Sequence, residues 1–389
     1  MELTNDRTWV SCQLGAREHY AVPRALQRAG LLRELFTDLW LRRRRFHPAL
    51  SNARVSAANS AAFAFAMKAR AGRLNGWELI SQRNDWFQRN VAARLTHRRH
   101  ESSQPTTVFA YSYAAEHIFE HAREHGWRTV LGQIDPGPAD DEIVGRLHQH
   151  GNGDLWQRAP AEYWRKWRRE CELADEIVVN SNWSREALLR AGVPGTKIRV
   201  IPLAFEAAGE AQTFQREYPA AFTRARPFRI LFLAQINFRK GARELLEAAR
   251  LLADEPVEFW FVGPRQMPVP PDLRQASYLK WFGAVPRTKV DSFYRAADVF
   301  ILPTFSDGFA LTQLEAQSWK LPVIASRFCG EVVQHERNGL ILEEVSAEAI
   351  AKVLSELVLS PQRLSAMARE SCVREEFSLK ALASSLSQL

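Results

Sequence analysis

The sequence predicts an α/β protein made of two doubly wound domains. Short apolar runs alternate with amphipathic helical stretches in both halves of the chain, the pattern of parallel sheets flanked by helices. The 389 residues exceed one ordinary domain, and 46% hydrophobic content can fill two cores. No repeat of solenoid period and no low-complexity tract interrupts the alternation. The expected boundaries are 1–205 and 206–370, with a C-terminal helix at 371–389 packing back toward the N-terminal domain and Leu203 to Arg226 as linker.

In the first half, Thr8 to Cys12, Val108 to Tyr111, Thr129 to Leu131 and Ile177 to Asn180 read as strands. After the first comes Gln13-Leu-Gly-Ala-Arg-Glu-His-Tyr20, expected to open a helix running to about Ala29. Gly15 and Ala16 stand where backbone can approach a ligand and a helix start can face an anion. Asp135, in Gln133-Ile-Asp-Pro-Gly-Pro138, follows another strand. Ligands gather beyond the carboxyl ends of such strands, which makes it a cleft candidate. The same Asp before Pro also suits a turn.

In the second half, Phe228 to Ala234 reads as a buried strand and Ala242 to Leu252 as an amphipathic helix. Between them, Arg239 and Lys240 precede Gly241 at the helix start, where the macrodipole repels cations. A diphosphate would remove that conflict. Further on, Val299 to Leu302 is a strand, and Asp307-Gly-Phe-Ala-Leu-Thr-Gln-Leu-Glu315 crosses from strand to helix before Pro322 to Ala325 starts the next strand. Glu315 shares a helical stripe with Leu311 and is expected to face the sheet. A buried charge needs partners, and none is obvious nearby in sequence, so ligand hydroxyls are the expected ones.

The segment Asp307 to Glu315 resembles the Glu-x7-Glu signature of the family 4 glycosyltransferases, with Asp307 where that family usually has Glu. Lys240-Gly241 matches the family's Lys-Gly, and Gln235 stands at its earlier Arg position. Ala174 to Ser181, Lys197 to Pro202, Ala297 to Pro303 and Asn338 to Leu342 extend the resemblance over about Asp175 to Leu359; Leu203-Ala-Phe-Glu206 replaces the usual Asn-Gly-Val-Asp. The resemblance implies the GT-B fold, two Rossmann-like domains facing a central cleft, and transfer of a hexose-like sugar from a nucleotide-sugar with retention of configuration. It implies that Glu315 grips the ribose, that Asp307 lies at the sugar, and that the amides of Gly308, Phe309, Ala310 and Leu311 meet sugar and diphosphate. Lys240 and the adjacent Arg239 take the diphosphate. Nucleotide-sugar is then a substrate, and neither cofactor nor metal is expected; the adjacent pair Asp140-Asp141 lies in the first half.

The net charge of +8 falls within residues 1–200, which hold 30 Lys/Arg against 22 Asp/Glu. Trp40-Leu-Arg-Arg-Arg-Arg-Phe46 concentrates it, so Arg42, Arg43, Arg44 and Arg45 are candidates for an anionic membrane surface, with nucleic acid as the rival partner. Trp164 to Arg169 is a second basic aromatic cluster. Ser56 to Met67 is too short to span a bilayer. Four scattered cysteines without metal-type spacing, behind no apolar N-terminal run, read as reduced thiols of a cytoplasmic protein, with the inner membrane face as the place for the arginines. The acceptor class stays open among glycan, lipid-linked and small-molecule. The rival functions are a nucleotide-sugar epimerase, a phosphorylase, or a non-catalytic sugar- or membrane-binding protein.

Overall fold

A computed structural model describes residues 8–42, 45–97, 105–149 and 156–389. Two parallel sheets organise it. The first contains β1 (Thr8–Gln13), β2 (Leu32–Thr37), β3 (Val55–Ala57), β4 (Thr106–Tyr111), β5 (Arg128–Gly132), β6 (Glu176–Val179) and β7 (Ile198–Val200), in the order β3-β2-β1-β4-β5-β6-β7. The second contains β8 (Phe228–Leu233), β9 (Val257–Val262), β10 (Leu279–Gly283), β11 (Val299–Leu302), β12 (Val323–Ser326) and β13 (Gly339–Leu342), in the order β10-β9-β8-β11-β12-β13. In each sheet the order reverses beside a central strand, β1 in the first and β8 in the second. Ligand sites of doubly wound sheets form at such switch points.

The strands are apolar because helices cover both faces. β11, Val-Phe-Ile-Leu, is buried throughout and runs as one continuous hydrophobic stretch. Phe228, Ile230 and Phe232 of β8 enter one core with Leu245, Leu246 and Ala249 of the helix Ala242–Leu251. Leu231, Phe300 and Val323 face the other side, with Tyr294 and Trp319. The helix Leu379–Ser387 leaves the second domain and buries Leu382, Ala383 and Leu386 against Ala21, Ala25 and Leu26 of the first.

One expected element differs. The helix after β1 starts at Ala21, because Glu18, His19 and Tyr20 have φ of 50, 51 and 61° and cannot propagate a right-handed helix. Three successive non-glycine residues in that region are costly, and such strain gathers at working sites. Among the described residues no helix is long and apolar enough to cross a membrane.

Candidate functional site

The loops that end β8 and β11 meet at the cleft. Phe238–Lys240 forms one 3-10 turn, which Asn237 caps by accepting from the Lys240 N–H at 3.1 Å. Gly241 then takes φ 70°, and a Cβ there would lie 1.9 Å from the Pro303 carbonyl oxygen. Only glycine permits that approach, so the basic turn is seated directly on the loop carrying Asp307. The Arg239 carbonyl accepts from the Phe305 N–H at 2.8 Å, and its guanidinium donates to the Ser306 carbonyl at 2.8 Å.

Lys240 pairs with Asp307 through Nζ and Oδ2. Burial works against the Asp307 charge, but Lys240 and Arg239 outweigh it and hold the carboxyl below its ordinary pKa. The sequence left Lys240 without a structural counter-charge; Asp307 supplies one. Asp307 Oδ1 also accepts from the Phe309 N–H at 3.2 Å. Ala310 has φ 67°, and the N–H groups of Gly308, Ala310 and Leu311 reach no acceptor among the described residues. Glu315 is buried in the short helix Thr312–Ser318. Its partners lie on the helix Arg287–Ala296, which the sequence reading passed over. The Tyr294 hydroxyl donates to Oε2 at 2.8 Å and Arg287 Nη1 lies 2.6 Å from Oε1. Ligand hydroxyls are therefore not its only possible partners. Arg287 is largely exposed, so it can swing away from a shared ligand.

Across the cleft, the first domain touches this loop directly. A Cβ on Gly308 would sit 2.2 Å from the Ile134 carbonyl oxygen and 3.3 Å from Asp135 Cα. Asp135 is thus brought to the Asp307 loop. Its Oδ1 accepts from the Tyr113 hydroxyl at 2.5 Å, the Gly137 N–H at 2.9 Å and the Gln133 amide at 3.0 Å, while Oδ2 meets no donor among the described residues. Asp140 lies 3.8 Å from Arg239 Nη1. Burial pushes its pKa up; Arg239 counters this, and the charges of Asp135 and Asp307 reinforce it. No sequence signal assigned Asp140 to the cleft beyond its place five residues after Asp135.

The strained turn is the other cleft element that sequence reasoning missed. Burial, then the Arg287 charge, lower the His19 pKa, and Glu315 opposes them, so this turn faces the Glu315 end of the second domain. Burial raises Glu18 to about 7, against the Tyr111 hydroxyl that donates to it at 3.0 Å. Ala16 is exposed in the same loop. Gly15 is not open to a ligand: its N–H is committed to Asp38 Oδ1 at 2.9 Å.

The arginine run also departs from expectation. Arg45 lies 3.3 Å from Asp38, a buried carboxylate that also receives Arg83 at 3.0 Å. It serves the interior rather than a lipid surface. Trp40 packs edge-on to Tyr20 and tilted against Phe46, both ring pairs at 5.3 Å, and so completes a small core instead of projecting. Arg42 is exposed, and Arg43 and Arg44 lie outside the described residues. In the second cluster Trp167 is buried and donates to Gln133, while Arg165, Lys166 and Arg169 pair with Glu162, Asp85 and Glu172. His121, Glu124 and His125 bring three possible metal-ligand atoms within 4.8 Å of one another. They lie around the C-terminal end of the helix Glu116–Glu124, which leads into β5 at the amino ends of the strands, the opposite end of the sheet from the cleft.

Residues 227–360 match the family model described as Glycosyl transferases group 1. The amylovoran biosynthesis glycosyltransferase AmsK of Erwinia amylovora is 26% identical over 198 residues, 46% of each chain. A D-inositol 3-phosphate glycosyltransferase of Pseudarthrobacter chlorophenolicus is 28% identical over 162 residues, 38% of this chain and 39% of that one. The chain spans less than half the length of these curated relatives. Among solved structures, HepE of Anabaena in complex with UDP aligns over 98% of this chain and 100% of its own, with TM-score 0.63 and 14% identity. Sucrose-phosphate synthase of Thermosynechococcus elongatus aligns over 98% of both chains, with TM-score 0.67 and 18% identity. At these identities the likeness concerns the fold, and it extends over both domains and the cleft between them. Its second domain thus matches the glycosyl transferases group 1 model, and the chain over its whole length has the GT-B fold of these structures.

Proposed function

We propose that this chain is a retaining glycosyltransferase, moving a hexose-like group from a nucleoside diphosphate sugar to an acceptor held by the first domain. The carrying observation is the convergence of Arg239, Lys240 and Asp307 on one cleft edge, beside the N–H groups of Gly308, Ala310 and Leu311, unpaired among the described residues. Cations and free amides at one place form a site for a diphosphate. HepE, of the same fold, is described in complex with UDP-glucose, which supports a nucleotide-sugar as donor.

In this reading Lys240 shifts from Asp307 to the diphosphate, and Arg239 joins it. Glu315 accepts from ribose hydroxyls as Arg287 moves aside, while Tyr294 keeps the carboxylate oriented. Asp307 is left at the sugar. The bond from the anomeric carbon to the leaving phosphate oxygen breaks, and the acceptor oxygen bonds on the same face. The acceptor proton passes to the departing phosphate oxygen. Charge on that oxygen is met by protein cations and amides, so the proposal assigns no role to a metal. Asp135, with one oxygen open, orients the acceptor hydroxyl.

The test is to incubate the protein with UDP- and GDP-sugars together with cell lipid and polysaccharide extracts, and to analyse products by mass spectrometry. Release of nucleoside diphosphate together with a product one hexose heavier is expected. Failure to consume any donor, with or without acceptor, would contradict the proposal.

A further inference from the structure

The helix Asn59–Ala71 is poorly buried for part of a folded domain. Of its 13 residues only Ala69 is buried, while Phe63 and Met67 are 53% and 69% exposed. Soluble surfaces rarely leave large apolar side chains grouped this way without a use. Beneath it lies a cavity of about 450 Å³, lined by Leu39, Phe63, Ala66, Leu74, Leu79 and Trp86. That volume falls within the roughly 300–1,000 Å³ of ligand sites. The alanines of the helix leave the space, and Trp86, stacked on Phe65 at 5.3 Å, forms one wall.

The remaining lining is cationic. Arg45, Arg70 and Arg83 stand against the single carboxylate of Asp38, which already receives Arg45, Arg83 and the Gly15 N–H. Arg70 has no ion pair among the described residues. An anion at this rim would be favoured, while a neutral chain alone would leave Arg70 unmatched and Arg45 and Arg83 sharing one carboxylate. Leu79 and Arg83 also line a second pocket of about 390 Å³, which contains Arg17 and Asp135 at the carboxyl ends of β1 and β5. Ser112 lines that pocket too, with its hydroxyl oxygen buried and without a partner among the described residues. The apolar cavity thus opens toward the face where the proposed transfer takes place.

We infer that the cavity under Asn59–Ala71 takes the hydrocarbon chain of an anionic lipid acceptor, its phosphate at the arginine rim and its sugar-accepting end beside Asp135. This rests on the proposed glycosyl transfer and names its acceptor class. It moves the lipid-facing surface from the arginine run at 42–45 to the helix Asn59–Ala71. A soluble glycan has no use for an apolar chamber of this size, and a protein partner covering the helix would leave the chamber unfilled.

Calorimetric titration of the full chain with dodecyl phosphate, below the concentration at which it aggregates, tests this. Dodecyl maltoside and inorganic phosphate serve as comparison probes, and UDP and GDP as controls for the cleft. One dodecyl phosphate per chain is expected, with dodecyl maltoside and inorganic phosphate each at least tenfold weaker. Ala66→Trp, which fills the cavity, and Arg70→Ser, which leaves it open, should each lose at least tenfold while nucleotide binding shows that they fold. Unchanged binding by Ala66→Trp, or equal affinity for the neutral detergent, would overturn the inference. So would a lack of dodecyl phosphate binding in a protein that binds nucleotide and turns over donor, and the proposed function would then stand. Absence of binding for both nucleotides would instead overturn that function, and this inference with it.

Discussion

The loops above the second sheet and those above the first are built on opposite plans. Around Lys240 and Asp307, charges meet within one domain, Gly241 presses backbone on backbone, and Glu315 is held by the buried Tyr294 hydroxyl. Around Asp38 and Asp135, a left-handed turn carries the cleft residues, a largely exposed helix lies over a chamber, and polar atoms such as Asp135 Oδ2 stay open. The first plan suits a ligand of fixed chemistry, such as a nucleoside diphosphate. The second leaves room for a bulkier partner. Close packing in the one half therefore makes its site sensitive to single atoms, while the other half should tolerate change until a buried charge is disturbed.

The largest effect is expected at Lys240. Lys240→Ala should lower turnover by ~2.7–4 kcal/mol in the barrier, the usual loss for one placed electrostatic contact. It also strands the half-buried Asp307, so the melting temperature should fall. Adding Asp307→Asn should restore much of the melting temperature but not the turnover. If both recover together, Lys240 is a structural cation only.

Next comes pH. Glu18 has its pKa raised by burial from 4.5 to about 7 in the folded chain. Its contribution to stability is fully present below the unfolded value and is lost as pH rises through 7, by up to ~3 kcal/mol. Thermal melts between pH 5 and 8 should therefore fall with pH, and Glu18→Gln should flatten that slope. Glu170, raised by burial to about 8, keeps the rest of it. An unchanged slope in Glu18→Gln would show that the turn holds its carboxylate in water.

Glu315→Gln should weaken binding of UDP or GDP by about 1.5–3 kcal/mol, the value of a hydrogen bond to a charged group. Asp307→Asn should act on turnover more than on free-nucleotide affinity. Equal losses of nucleotide affinity in both variants would merge the two roles.

The smallest effects separate neighbours in the arginine run. Arg42→Ser, on an exposed side chain, should change stability by less than about 0.5 kcal/mol. Arg45→Ser removes one of two cations from buried Asp38 and should cost clearly more. Equal melting temperatures would show that Arg83 and the Gly15 N–H suffice for that carboxylate.

The two halves also differed in how far the sequence could be read. β11 begins and ends at the residues expected, and β8 stops one residue short, because buried parallel strands are continuous apolar runs. Both conserve a local logic: strand, breaker, glycine, amphipathic helix. Glu315 was legible as buried, but its partners were not, since Arg287 and Tyr294 come from another helix 28 and 21 residues earlier. The turn at Glu18 to Tyr20 was invisible because nothing in Arg-Glu-His-Tyr marks a left-handed conformation; tertiary packing imposes it. Arg45 looked like its neighbours, and only the fold brings Asp38 to it.

The most direct measurement is time-resolved proton NMR of a UDP- or GDP-α-hexose with the protein and an acceptor extract. The account predicts consumption of one donor, release of its nucleoside diphosphate, and an α-anomeric signal in the first product formed, all lost in Lys240→Ala. A β-anomeric first product would contradict the same-face route, and undiminished consumption by Lys240→Ala would contradict the site itself.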